Sequence, residues 1–277
     1  MFCKMLCERS VPKMNFNENV INSQEERIYM EDDKAKENAA LSDEIYKTEG
    51  YLGMADQVIK NNVAEIVGQL DGELVYSHTV YGEEFYTVKV KVPRLSTSYD
   101  VIPLMISNRL LNPEVNYANC VIRAEGQFRS YNQHNEGKSK LLLSLFVRDF
   151  EVLDLTEEEL QKHNMPNQIF LDGYVCKAPI YRKTPLGREI TDILMAVNRP
   201  YNKSDYIPAI AWGRNARYAA GFEVGSRLKV WGRIQSRTYQ KRTAVEGEVE
   251  QRIAYEISIS KMEIGDQVEE STKTENA

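Results

Sequence analysis

The sequence predicts an all-β protein: two tandem copies of one five-stranded barrel behind a disordered or partly helical N-terminal extension. Three observations carry this expectation. The chain has 277 residues, 42% hydrophobic and 27% charged, which is enough for two domains of about 100 to 130 residues each. Its ordered-looking part reads as short apolar strands punctuated by Gly, Pro, Asn and Asp. The second half of that part repeats the first at a nearly constant offset.

Residues 1–53 show few apolar residues in periodic order and are dominated by Asn, Glu, Asp and Lys. Such composition does not form a core, so an acidic extension is expected there. Order begins near Met54, which the break in composition marks as a candidate native start. The repeat follows. Gly68 matches Gly173, 105 residues on, and Asp100 and Pro103 match Asp205 and Pro208 at the same offset. Gly126 matches Gly232 at an offset of 106. The expected divisions are modules at 54–153 and 168–264, an acidic linker at 154–167 and an acidic disordered tail at 265–277.

In the second module, strands are expected at 168–176, 189–198, 206–212, 227–239 and 252–262, with a turn at 184–187 and a short helix at 215–222. Five strands with one helix between the third and fourth is the order of an OB-fold, a five-stranded Greek-key barrel. A β-sandwich would need more strands and no internal helix.

Charge is unevenly divided. The whole chain has 35 Lys and Arg against 41 Asp and Glu, a net −6, which taken alone argues against a nucleic-acid partner. By segment, residues 1–60 carry −4, 61–166 carry −5, 167–264 carry +6 and 265–277 carry −3. The basic excess is confined to the second module.

Alternate residues of a strand face opposite sides. Along the strand from 227, Leu228, Val230, Gly232, Ile234, Ser236 and Thr238 make one face, which looks like core. Arg227, Lys229, Trp231, Arg233, Gln235, Arg237 and Tyr239 make the other. Cations neutralise phosphates and aromatic planes stack bases, so this mixture suits a single-stranded nucleic acid. The plainer reading is a solvated basic face with Trp231 packed beneath a loop. The preceding strand adds Tyr206 and Trp212, six apart and so on one face with Pro208 and Ile210, and Arg214 extends it. Arg199 and Tyr201 place another cation beside an aromatic.

The motifs DGYV, TPLG, AVNRPY, YIPAIAW and GSRLKVWGRIQSRTY, in this order across most of residues 168–240, closely resemble the bacterial single-stranded-DNA-binding protein family. The resemblance implies an OB-fold that wraps single-stranded DNA with little sequence preference. It places base-stacking positions at Tyr201, Tyr206, Trp212 and Tyr239, to which the strand pattern adds Trp231. It places backbone-contacting cations at Arg199, Arg214, Arg233 and Arg237, with Lys177, Arg182, Lys183 and Arg188 around the first hairpin. Four OB modules per assembly are usual in the family, so two per chain imply a homodimer. The family's acidic tail usually ends in an apolar tip that recruits replication and repair proteins. Here GDQVEESTKTENA lacks that tip, which favours a simple solvated terminus over recruitment through the tail.

The first module departs from the pattern. By the same offsets, Ser96, Val101, Ser107 and Gln133 stand where Tyr201, Tyr206, Trp212 and Tyr239 stand, and Glu125 replaces Trp231. It is expected to be a degenerate module used mainly for assembly. The alternative is binding through a different face bearing Arg94, Arg109, Arg123, Arg129, Tyr131, Lys138 and Lys140.

No catalytic constellation is visible, and no cofactor or metal is expected. Gly137, Lys138 and Ser139 resemble the end of a phosphate loop, but Asn132 stands where the first glycine belongs. Four cysteines and three histidines form no zinc set, and the cysteines read as reduced cytosolic thiols. No apolar run reaches the 18 residues of a membrane span, mean hydropathy is −0.48, and the N-terminus lacks the apolar stretch of a secretory signal. The expectation is therefore a cytoplasmic, nucleoid-associated, non-enzymatic protein that protects single-stranded DNA during replication, recombination and repair. The alternatives are a replication-restart or plasmid-replication accessory factor acting mainly through protein contacts, or an RNA-binding OB protein.

Overall fold

Eleven strands form one continuous sheet among the residues that the computed structural model describes, which are 60–94, 96, 98–135, 138–163, 165–242 and 249–265. The extension expected at 1–53, Met54 as a candidate start, and residues 266–277 of the tail lie outside these, as do the side chains of Gln133, Lys138 and Lys140.

The first barrel is made by β1 (Asn62–Val80), β2 (Glu83–Pro93), β3 (Tyr99–Ser107), β4 (Val121–Asn135) and β5 (Lys138–Leu153). Their order is β2-β3-β5-β4-β1, and β1 also pairs with β2, which closes the ring. Only the β3–β5 pair is parallel among these. The second barrel has β6 (Asn167–Val175), β7 (Ile180–Lys183), β8 (Glu189–Arg199), β9 (Lys203–Trp212), β10 (Arg227–Arg242) and β11 (Val249–Ile264). Its ring is β6-β10-β11-β9-β8, closed by β6–β8, with β9–β11 parallel and β7 added at the edge of β8. This is the OB-fold strand order; β7 is one strand more than the sequence pattern showed.

Each ring follows from strand alternation. Val88, Val90 and Val92 of β2, Ile102, Leu104 and Ile106 of β3, and Ile122, Ala124 and Phe128 of β4 point inward and are buried. Ile193, Met195 and Val197 of β8, Ile207, Ala209 and Ala211 of β9, and Leu228, Val230 and Ile234 of β10 do the same in the second barrel. Each large side chain so buried stabilises by roughly 1.5–3 kcal/mol.

The repeated glycines are steric requirements. A Cβ on Gly126 would overlap the Phe146 carbonyl, and one on Gly232 would overlap the Ser258 carbonyl. Both sit at a β-bulge, where Arg148 of β5 and Ser260 of β11 are the extra residues. Gly68 and Gly173 meet the Lys91 and Ala196 carbonyls in the same way. At all four the facing backbone comes too close for a Cβ unless something shifts, which is the close approach that glycine permits.

The two halves differ between β3 and β4 and their counterparts. After Gly213 (φ 56°), α2 (Arg214–Ala219) caps the second barrel, with Ala216 and Ala219 buried and the Ala216 carbonyl accepting from Thr191 Oγ1 at 2.7 Å. It is shorter than the helix expected at 215–222. The first barrel has turns at 108–120 instead. Pro113 lacks an N–H, and Asn112 and Asn116 side chains accept from Glu114 N and Ala118 N. These local bonds compete with a helix. The acidic segment between the modules carries a short helix, α1 (Glu157–Gln161), started by a capping box of Thr156 and Glu159. Its Leu160 docks against Val67 and Val121.

The barrels join through β1 and β6, which pair antiparallel from Asn62↔Leu171 to Ile66↔Asn167. Adding 105 to Asn62 gives Asn167, and subtracting it from Leu171 gives Ile66, so the pairing is a local two-fold centred on Ala64↔Ile169. The side chains obey it too. Asn62 donates to the Phe128 carbonyl and accepts from Phe128 N, as Asn167 does with Ile234. Asp100 accepts from Ser236 N, and Asp205 accepts from Ser130 N, both at 2.7 Å. The chain is a two-fold assembly within itself.

Candidate nucleic-acid interface

The outer face of β9 begins at Tyr206 and ends at Trp212, with Pro208 and Ile210 between, as the sequence spacing predicts. Ile207, Ala209 and Ala211 join the barrel core and fix this orientation, while Pro208 and Ile210 on the outer face are buried as well, leaving the aromatics at its two ends. Six residues of strand separate the two aromatics by about 20 Å. Both are half-buried, and the Trp212 ring N–H has no hydrogen-bond partner among the described residues. Tyr201 sits in the turn between β8 and β9 with φ 64° and is 77% exposed. Three of the five expected stackers therefore share the β8–β9 side of the second barrel.

The other two do not join them. Trp231 lies on the β6–β10–β11 wall, tilted against Phe170 at 5.0 Å with Lys261 4.5 Å above its ring. Register places Val63, Phe170, Trp231 and Lys261 in one outward row across the junction. Tyr239 is 5% exposed. The outward alternation of β10 holds from Arg227 to Arg233 and then ends. Gln235 is buried with its amide donating to Glu256 at 2.8 Å, and Arg237 lies 3.6 Å from Glu256. Ser236, expected in the core, turns toward the first barrel, and Thr238 is exposed. Beyond Ile234 the strand has left its own barrel, so alternation no longer decides burial.

The cations fall into two groups. Arg182 forms two hydrogen bonds to Asp192, at 2.7 and 3.1 Å. Arg199 lies 3.4 Å from Asp205, Arg233 is 2.6 Å from Asp100 in the first barrel, and Arg237 faces Glu256. These four are already committed to carboxylates. Lys177, Arg188 and Arg214 form no ion pair with a carboxylate among the described residues, while Lys183 stands opposite Glu189 across the hairpin and is drawn by its charge without a direct ion pair. Lys183, Arg188 and Arg214 are exposed. They flank the β7–β8 hairpin and the start of α2, next to the strand that ends at Trp212.

Sequence reasoning missed two aromatics on this side. Tyr174 of β6 is 39% exposed and lies in register with Ala196 and Tyr206. Tyr181 of β7 is equally exposed. Its hydroxyl donates to Glu189, which also accepts from Arg217. The bond from Arg217, then that from Tyr181, holds the Glu189 carboxyl below its usual range. Alternation around TPLG would have found Tyr181, since it sits two residues before Lys183.

In the first barrel, three of the four cations of the alternative face whose side chains are described are neutralised: Arg94 by Asp100, Arg109 by Glu83, and Arg123 by Glu151, Asp149 and Glu65. Arg129 is not. Its guanidinium lies 4.1 Å over the Phe146 ring, with Arg148 5.2 Å from the same ring.

The model of the single-strand binding protein family matches residues 166–264. A Clostridium tetani protein named single-stranded DNA-binding protein is 31% identical over 98 residues, 33% of this chain and 68% of that protein. The chain belongs to the single-strand binding protein family. It spans about half the length of other relatives: a Listeria innocua protein named single-stranded DNA-binding protein 2 is 36% identical over 83 residues, 27% of this chain and 52% of that protein. The crystal structure of wild-type single-stranded DNA binding protein from Thermus aquaticus shares the fold, with a TM-score of 0.53 and 18% identity over 74% of this chain and 93% of that one. One barrel alone could not supply that share, so the fold likeness spans both halves of this single-strand binding family member.

Proposed function

We propose that the chain binds single-stranded DNA with little sequence preference, without catalysis, and so protects exposed strands during replication, recombination and repair. The observation that carries this is the placement of Tyr206 and Trp212 on one outer face, with exposed Tyr201 at its turn and exposed Lys183, Arg188 and Arg214 beside it. Its relatives are named for the same ligand. Each stacked base contributes roughly 1–3 kcal/mol whatever its identity, and unpaired cations release counterions from phosphates.

The experiment is Trp fluorescence titration with poly(dT), poly(U) and duplex DNA over a salt series. Quenching by poly(dT), weakening with salt, is expected. Replacing Trp212 and Tyr206 by Ala should weaken binding far more than Ser107→Ala with Val101→Ala. Equal losses refute the assignment to the second barrel, and equal quenching by poly(U) refutes the preference for DNA. With two barrels per chain, a homodimer would present four, and the outward row of Val63, Phe170 and Trp231 is the surface proposed for it. Light scattering that shows a strict monomer at micromolar concentration rejects the dimer. A binding role of this kind places the chain in the cytoplasm with the nucleoid. No helix among the described residues is long and apolar enough to cross a membrane.

A further inference from the structure

We propose that the first barrel extends the strand's path through Arg129 and Arg148, which together hold one stretch of backbone phosphate at the boundary with the second barrel. This rests on the single-strand reading and assigns the degenerate module a direct part in it.

Position is the first ground. Ser130 N donates to Asp205 at 2.7 Å, and Tyr206 N donates to Ser130 Oγ at 2.8 Å. Strand β4 is thereby fastened to the start of β9, and Arg129 is the neighbour in sequence of the residue that holds Tyr206. Arg129 points to the other side of its strand, yet it feels the charges of Arg199 at the end of β8 and of Asp205, the residue before Tyr206, so it lies near that end of the stacking face. Tyr131, 67% exposed, continues the outer face of β4 past Arg129.

Charge is the second ground. Arg129 and Arg148 converge on the Phe146 ring, yet neither has a carboxylate partner among the described residues. Arg129 spends Nε and Nη2 on the neutral Gln127 Oε1, at 3.2 and 2.7 Å, and its remaining N–H groups are uncommitted. Burial first, then Arg199 and Arg148, push its guanidinium down to about 10, against a smaller opposing pull from Asp205. Three arginines thus share a neighbourhood with one carboxylate. A phosphate relieves that crowding, and guanidinium planes suit it by their paired donors. Phe146 holds both planes in place by cation–π attraction.

Local symmetry is the third. At the bulge opposite each anchor glycine, the first barrel has Arg148 where the second has Ser260. A bulge re-aims the extra side chain outward. Gln235 stands at the position of Arg129 and is bonded to Glu256. The cation pair therefore belongs to the first barrel alone.

The test uses the full chain and poly(dT), read by Trp fluorescence over a salt series. Arg148→Gln should lower the slope of log K against log salt by about 0.7, and the double change with Arg129→Gln by about 1.4, at the single-strand value per phosphate. Arg148→Lys should restore the slope. Arg123→Gln, whose side chain is already held by Glu151 and Asp149, should leave it unchanged. Arg148 is exposed and makes no hydrogen bond or ion pair among the described residues, so its variant reports binding rather than folding. A slope in Arg148→Gln equal to the unaltered chain overturns the inference while leaving the single-strand reading intact. Absence of any quenching in the unaltered chain overturns both.

Discussion

Asp100 and Asp205 occupy equivalent places at the two ends of the junction, and they should not be equally important. Asp100 accepts from Arg94 Nη2 at 2.5 Å and Nε at 2.9 Å, from Arg233 at 2.6 Å and from Ser236 N at 2.7 Å, with its side chain 2% exposed. Both oxygens are saturated, and two guanidiniums depend on them. Asp205 accepts from Ser130 N and, at 3.4 Å, from Ser130 Oγ through Oδ1, while its Oδ2 accepts no hydrogen bond among the described residues and faces Arg199 at 3.4 Å. Burial holds its carboxyl above the ordinary value, offset only in part by Arg199 and the Ser130 bond. Asp100→Ala strands two cations and should cost roughly 3–5 kcal/mol. Asp205→Ala leaves the Ser130 N–H and one guanidinium, that of Arg199, without their partner, against two guanidiniums for Asp100, and should cost less, roughly 1–3 kcal/mol. Urea unfolding of both variants, followed by circular dichroism at one protein concentration, measures the difference. Equal or reversed losses would refute the claim that the local two-fold is electrostatically lopsided. The sign with pH follows as well. A raised folded-state value means the folded chain holds the Asp205 proton more firmly than the unfolded chain. The unaltered protein should therefore gain stability relative to Asp205→Asn as pH falls through that raised titration, and gain nothing more below the unfolded value.

Two further outcomes are expected. Gly232→Ala and Gly126→Ala force a methyl into the Ser258 and Phe146 carbonyls and should each cost about 1–3 kcal/mol in urea unfolding, whereas Gly221→Ala, with nothing nearer than 3.8 Å, should stay within roughly 0.5 kcal/mol. Lys183→Gln and Arg188→Gln should each lower the salt slope of poly(dT) binding by about 0.7, while Arg182→Gln, already bound to Asp192, should change it little. The reverse order would show that the ion pairs open on binding.

Much of the fold was legible because the repeat marks places where chemistry leaves no choice. Gly68, Gly126, Gly173 and Gly232 stand where a facing carbonyl comes too close for a Cβ, and Asp100 and Asp205 stand where two strands of different barrels meet. Local alternation was legible for the same reason, which is why Tyr206 and Trp212 were placed on one face. It failed at Tyr239, where neighbours come from outside the strand's own barrel. Cations were harder still. A sequence counts charges but does not show that Arg233 meets Asp100 across the junction, or that Arg182 meets Asp192 across a hairpin. The Arg129, Phe146 and Arg148 cluster did leave a signal: cation and aromatic alternate outward on β4 and β5, as they do on β10. Arg129 and Tyr131 belong to the alternative face read from the sequence, whereas Arg148 sits at a bulge that strand alternation does not reveal.

The β1–β6 pairing has a consequence for how such a protein can change. Two identical chains meeting at a dyad must carry every substitution twice, so a change that helps one half is imposed on the other. Here one polypeptide supplies both halves, and each can drift alone. The acidic row of Glu65, Glu125 and Asp149 and the aromatic row of Phe170 and Trp231 occupy matching outer positions with opposite character, a difference that a symmetric pair could not hold. Tethering also makes the contact unimolecular, so the joined pair of barrels should persist at dilutions where separate subunits would part.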